Sequence, residues 1–175
     1  MGDAVPALPA RRLRQRRLPP GGRRLDGDAV IEVDARPIIH SHTVRLSYAD
    51  TDPAGILYYA AWFPKMEGLQ SEFLFLQGLR QDTLIERFGW WTVSRATTCE
   101  YLAAARLFDE IRIDLRMGRI GTASFRFAFE MIRVEDDVLV ARAENTVVTV
   151  SPEQDPVPIP ADLRAHLQRW AGEVP

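Results

Sequence analysis

Apolar and polar side chains alternate over residues 43–49, with Val44, Leu46 and Tyr48 on one face and Thr43, Arg45 and Ser47 on the other. A period of two marks a half-buried strand. The run breaks at a polar turn, Asp50-Thr51-Asp52-Pro53-Ala54-Gly55, built from residues that end regular structure. Beyond it, Trp62, Met66, Leu69, Phe73 and Leu76 recur at intervals of four, three, four and three, drawing one apolar stripe down a helix. Phe63, Gln70, Leu74 and Gln77 run beside the stripe, with Glu67 on the same flank. Pro64 fits only the first turn of a helix. A short helical lead-in over residues 56–61 is therefore expected, then a main helix to about Gln77 that stops at Gly78. Gly68 weakens that helix and predicts close approach to a sheet. A shorter helix over residues 82–87 follows.

After Gly89 the period changes. Residues 90–101 read as a strand bearing Val93 and Cys99. Ile111, Ile113, Leu115 and Met117 alternate with Arg112, Asp114 and Arg116, and Phe125, Phe127, Phe129 and Met131 alternate with Arg126, Ala128 and Glu130. Residues 138–150 form a further strand whose mixed pattern predicts a central place covered on both faces. Asp136-Asp137 turns the hairpin before it, and proline-rich residues 152–160 lead to a closing helix over 161–170. One strand, a long helix and four strands make an α+β plan. The late connections are too short for crossovers, so the sheet is expected to be five-stranded and mostly antiparallel. One helix cannot cover both faces of five strands, and a homo-oligomer follows as the expectation.

Composition adds limits. The 175 residues, 46% hydrophobic and 26% charged, suit one soluble domain. No apolar run approaches the roughly 20 residues of a spanning helix, and the opening arginines are followed by prolines and glycines, unlike a secretory signal. A single cysteine, Cys99, precludes an intramolecular disulfide and fits the cytoplasm. Residues 1–24 hold seven arginines against Asp3, a net +6, which leaves −8 on the rest of a chain whose total is −2. Such an arm can grip nucleic acid, but this one has no stacking aromatic and no amphipathic period. Residues 1–28 are read as a disordered extension or an over-long translation start, with nucleic acid not expected as a partner, and residues 29–175 as the folded domain.

The chemistry centres on the Asp50–Gly55 turn. In one reading Asp52 caps the following helix and Pro53 takes its first position. In the other, amides at the helix start hold a developing oxyanion while a nearby carboxylate attacks or activates water. The residues alone leave both open.

The same residues, followed by Tyr58 and Tyr59, resemble the active-site signature of the 4-hydroxybenzoyl-CoA thioesterase-like hotdog enzymes. Glu100-Tyr101-Leu102-Ala103-Ala104-Ala105-Arg106-Leu107-Phe108-Asp109 resembles a strand and turn of the subfamily that includes the Tol–Pal-associated acyl-CoA thioesterases. Gly121-Thr122-Ala123-Ser124-Phe125 is similar to that subfamily's segment before its long hairpin. The match runs over roughly residues 40 to 165 in order. It implies a hotdog fold, a sheet wrapped around the long helix, paired as homodimers or homotetramers with active sites at the dimer interface. It also implies an acyl-CoA substrate, Asp52 as the catalytic carboxylate (nucleophile or general base), the backbone N–H of Tyr59 as the carbonyl-polarising donor, and Gly55 as a point of close approach to the thioester. No metal or redox cofactor is implied. The chain departs from the family at Ala104, where proline is usual, at Phe108, where an acid is usual, and at Gly121, where an arginine aligns. Tyr59 replaces a subfamily histidine.

Other candidates are weaker. Glu67 lies where some hotdog branches carry a catalytic acid, and is read first as a flank residue. Trp90 and Trp91 should point to opposite faces of a strand, with Trp91 a candidate for the acyl pocket. Arg116, Arg119 and Ser124 are candidates for contacts with coenzyme A. His40, His42 and His166 lack metal-ligand spacing, Cys99 reads as a core residue, and no Gly-x-Ser-x-Gly elbow is present. Beside acyl-CoA hydrolysis stand hydrolysis of an acyl carrier protein thioester and a non-catalytic acyl-CoA sensor.

Overall fold

A computed structural model describes residues 34–173. The expected extension over 1–28 lies outside the described residues. The chain runs as β1 (Ile38–Arg45), α1 (Trp62–Leu76), α2 (Leu84–Phe88), β2 (Trp91–Tyr101), β3 (Glu110–Ile120), β4 (Ser124–Arg133), β5 (Val138–Val150) and α3 (Ala161–Trp170). Short 3₁₀ turns at Tyr48–Asp50, Tyr59–Ala61 and Gln81–Thr83 join them. The five strands form one sheet in the order β1-β3-β4-β5-β2, with every pairing antiparallel.

Alternation explains which face meets the helix. Ile111, Ile113, Leu115 and Met117 of β3 and Phe125, Phe127, Phe129 and Met131 of β4 are all buried. Across the β4–β5 ladder, Phe127 faces Asn145, Phe129 faces Ala143 and Met131 faces Ala141. Small residues on β5 thus leave room for the rings beside them. Trp62, Met66, Leu69 and Phe73 of α1 bury against this surface, and each such side chain contributes roughly 1.5–3 kcal/mol. The Phe73 ring sits 4.7 Å from Trp170 of α3 and 6.4 Å from Phe127, so both helices share one face. A sheet wrapped around a central helix is the expected hotdog arrangement, and β5 is internal. It is not covered on both faces as expected, since Arg142 is exposed and Glu144 and Thr146 are half-buried on the side away from the helix.

Three details differ from expectation. The first strand ends at Arg45, and Tyr48 lies 78% exposed in a 3₁₀ turn. The Asp50 carboxylate takes both the Ser47 N–H and its hydroxyl, each at 2.8 Å, and turns the backbone out of its extended path. Leu76 is exposed while Leu74 is buried, because a seven-residue repeat drifts by about 20° per heptad on a 3.6-residue helix. Gly68 is exposed, and a Cβ there would meet nothing within 4 Å, so it makes no close approach to the sheet.

Candidate active site

The Asp52 turn is built by its own backbone. The Asp52 N–H donates to the Ile56 carbonyl and the Gly55 N–H to the Asp52 carbonyl, both at 2.9 Å, while Thr51 and Leu57 form an antiparallel bridge. Gly55 closes the turn at φ +74°, a left-handed conformation that costs other residues roughly 1–2 kcal/mol. The Ala54 N–H donates to Asp52 Oδ1 at 2.8 Å. One carboxylate oxygen is thereby fixed, and Oδ2 has no hydrogen-bond partner among the described residues.

Asp52 is not the cap of α1. The helix begins ten residues later at Trp62, with Ala61 in the capping position. Between the Gly55 turn and Tyr59 the chain is stitched to its surroundings, the Leu57 N–H to the Ala105 carbonyl at 2.8 Å and the Tyr58 N–H to the Asp50 carbonyl at 2.8 Å. The expected lead-in shrinks to the 3₁₀ turn Tyr59–Ala61, which feeds directly into α1. Tyr59 opens that turn, so its N–H has no partner within it, and none is found elsewhere among the described residues. The Tyr101 hydroxyl donates to the Tyr59 carbonyl at 3.0 Å and pins this residue.

Asp52 and Tyr59 line one cavity of about 600 Å³. Its walls are otherwise chiefly apolar: Ile56, Leu57, Trp62, Leu102 and residues 103–105, with Tyr58 and Tyr101. Arg133 steadies the far wall by donating to the Ala104 carbonyl at 2.8 Å. Asp50 faces elsewhere. Burial alone would raise its pKa, but hydrogen bonds from Lys65 and Ser47 and the lysine charge outweigh it and hold its carboxyl below the ordinary value. The Lys65 Nζ to Asp50 Oδ1 distance is 2.7 Å, with both side chains 16% exposed. Such an arrangement, an unpaired carboxylate oxygen and an unpaired amide around an apolar chamber, can polarise a carbonyl and deliver a nucleophile to it.

Residues 46–167 match the model of the thioesterase-like superfamily. The chain belongs to that superfamily. The acyl-CoA thioester hydrolase YbgC of Escherichia coli O6:H1 is 31% identical over 128 residues, which cover 72% of this chain and 93% of that protein. The acyl-CoA thioesterase YbgC of Haemophilus influenzae is 26% identical, over 73% of this chain and 96% of its own. Among solved structures, the Synechocystis 1,4-dihydroxy-2-naphthoyl-CoA thioesterase Slr0204 superposes with a TM-score of 0.66 at 20% identity, covering 73% of this chain and 94% of that one. Staphylococcus aureus SAV2348, solved in complex with CoA, gives 0.69 at 13% identity over 80% and 87% of the two chains. These likenesses show the hotdog fold.

The other sequence candidates of this superfamily member do not gather around Asp52 within one chain. Trp91 opens β2, ten residues and about 33 Å of strand from Tyr101. Its indole Nε1 is buried without a partner among the described residues. Trp90 lies just ahead of β2 and stacks on Phe88 at 5.7 Å. Arg119 is exposed near the end of β3, and Ser124 starts β4 opposite Val148. Arg116 pairs with Glu130 at 3.1 Å. At Gly121 a Cβ would come within 3.1 Å of the Ser124 carbonyl, so a side chain there would need the turn to shift. Phe108, at φ +71°, sets its ring 6.0 Å from Tyr48. Glu67 accepts from the Ser71 hydroxyl at 2.7 Å and lines a second, smaller cavity. Burial pushes the Cys99 thiol pKa up, which disfavours a thiolate nucleophile. No group of His, Cys, Asp and Glu among the described residues is arranged to hold a metal, and no described helix is long and apolar enough to cross a membrane.

Sequence reasoning missed Tyr101 and Lys65 as supports of the site. Tyr101 lies in the family-like segment Glu100–Asp109, but its reach to the Tyr59 carbonyl depends on the fold. Lys65, a charge in the first turn of an apolar helix, was the visible signal for the second.

Proposed function

We propose that the protein hydrolyses an acyl-CoA thioester to the free acid and coenzyme A. The observation that carries this reading is the pairing of the unengaged Asp52 oxygen with the unengaged Tyr59 N–H around one chamber. The thioester carbonyl accepts from the Tyr59 N–H, and the start of the helix stabilises the charge that gathers on its oxygen. Asp52 either takes a proton from water, whose oxygen attacks the carbonyl carbon, or attacks that carbon itself. The tetrahedral intermediate collapses with cleavage of the C–S bond, and the departing thiolate takes up a proton as free coenzyme A. On the attack-by-carboxylate route, water then cleaves the acyl-enzyme anhydride. The names of the YbgC relatives support acyl-CoA as the substrate.

The working unit is a homo-oligomer in this reading. Val93 and Tyr101 on the edge strand β2 are 39% and 48% exposed, and residues 93–98 are exposed throughout. An open edge invites a second strand. Antiparallel pairing of β2 with its copy sets the Trp91 end of one chain beside the Tyr101 end of the other. That symmetry carries the partner's Trp91, Arg119 and Ser124 toward the Asp52 chamber, where the acyl and coenzyme contacts assigned to them become geometrically reachable.

The test is thiol release from a panel of benzoyl-, hydroxybenzoyl-, acetyl-, hexanoyl- and decanoyl-CoA by wild type and by folded Asp52→Asn. Loss of roughly 100-fold or more in kcat is expected from the substitution. A variant that keeps its rate removes Asp52 from the mechanism and turns attention to Glu67. A wild type that cleaves no acyl-CoA but does cleave an acyl carrier protein thioester changes the substrate, and binding of acyl-CoA without turnover of either makes the protein a sensor.

A further inference from the structure

The smaller cavity, about 160 Å³, lies between α1 and the strands β2, β4 and β5. Phe63, Met66 and Phe129 form its apolar base, and the rest of its lining is polar. Gln70 of α1 and Asn145 of β5 are polar yet only 3% and 7% exposed. Asn145 Nδ2 donates to Gln70 Oε1 at 2.9 Å and to Ser94 Oγ at 3.1 Å, and Thr97 Oγ1 donates to Asn145 Oδ1 at 3.2 Å. Gln70 Nε2 has no acceptor among the described residues. That nitrogen is open to solvent, since Trp91 Nε1 is the one sealed side-chain nitrogen or oxygen without a partner among the described residues. Gln70 lines the cavity, so its free donor is available to a ligand there.

A break in the β2 ladder assembles this cluster. Ser94 pairs with Val147 and Ala96 with Thr146, so Arg95 is an extra residue on β2. Without it, Ser94 and Thr97 would point to opposite faces. With it, both join the side of β5 that carries Val147 and Asn145. Bulges of this kind re-aim side chains beside functional sites.

Two rows of residues run from the lining of one cavity to that of the other. Tyr59, Phe63, Glu67 and Gln70 descend one flank of the helix, and Tyr101, Cys99 and Thr97 descend the facing side of β2. The first residue of each series lines the Asp52 chamber and the last lines the smaller cavity. From Tyr59 to Gln70 the backbone rises about 16 Å, and side chains lean back by roughly a turn, so the Tyr59 N–H and the Gln70 amide stand about 11 Å apart along the helix, the span of some eight to ten acyl carbons.

We infer that the smaller cavity is a specificity subsite that receives the far end of a medium-length acyl group bearing a terminal hydroxyl. This rests on the thioesterase reading and names its substrate class. The hydroxyl oxygen accepts from Gln70 Nε2, and its O–H donates a hydrogen bond to the Glu67 carboxylate or to Thr97 Oγ1. The Glu67 carboxylate in the same lining repels an acyl group that ends in a carboxylate. A site built to bond an oxygen discriminates against the analogue that lacks it, because its polar groups are then left unpaired.

The experiment compares kcat/KM for 10-hydroxydecanoyl-CoA, decanoyl-CoA and the carboxylate-ended decanedioyl-CoA. It also measures the affinity of the non-hydrolysable 10-hydroxydecyl and decyl thioethers of coenzyme A by calorimetry. The hydroxylated member of each pair is expected to lead by about 10-fold or more, with decanedioyl-CoA the poorest substrate. Gln70→Met, or Thr97→Val if that variant fails to fold, should bring the hydroxyl-to-alkyl ratio near one. Equal affinities of the two thioethers, or a preference that survives both substitutions, overturns the subsite. The thioethers give this answer even if no acyl-CoA is turned over, so failure of the subsite and failure of the thioesterase reading are separate results.

Discussion

At the scale of single residues, the ion pair between Lys65 and Asp50 ties the Asp52 loop to the first turn of α1. Asp50 also accepts the Tyr58 N–H on its carbonyl, one residue before Tyr59. Lys65→Met should therefore lower kcat more than it raises KM, because it loosens the relation between Asp52 and Tyr59 without touching the substrate. Lys65→Arg should recover much of the loss. The depressed pKa of Asp50 fixes the sign of a second effect. A carboxyl held lower in the folded than in the unfolded protein stabilises the fold above its ordinary value of 3.8 and loses that contribution as pH falls through the folded value. The melting-temperature gap between wild type and Lys65→Met should be fully open near neutral pH and close below about 3.8. A gap that does not change with pH would show that the pair adds nothing through its charge.

At the scale of elements, α1 and the helix-facing rows of β3 and β4 carry the stability. Phe127 is fully buried and touches both Phe73 and Phe125 through ring edges. Phe127→Ala should cost about 3–5 kcal/mol in chemical denaturation, whereas Phe75→Ala, at a 61% exposed position on the outer side of α1, should cost little in an isolated chain. The periods that defined these rows were legible because every second or every third to fourth residue was apolar. Leu76 and Tyr48 fitted the same periods and still lie outside the core. Periodicity gives a direction from the element's axis, but it does not say where the opposing surface ends or where a local hydrogen bond bends the chain.

At the scale of the whole molecule, one helix-covered face and an open β2 edge favour assembly. Sedimentation equilibrium should return a mass of a dimer or a tetramer rather than of one 19.8 kDa chain. Val93→Lys, on the exposed part of β2, should shift that equilibrium toward monomer and lower activity with it. A fully active monomer would rule out a site completed by the partner.

The sequence by itself determined the elements, the antiparallel α+β plan and the turn that bears Asp52, because local spacing and turn chemistry act over a few residues. It also carried the family resemblance, through motifs that remain contiguous in the chain. Tertiary structure alone decided that Asp52 closes its own turn rather than capping α1, and that Tyr101 reaches the Tyr59 carbonyl across 42 positions of sequence. It decided as well that Gln70, Ser94, Thr97 and Asn145 form one polar cluster. Their meeting depends on a one-residue bulge and on strand order, and neither leaves a periodic trace along the chain.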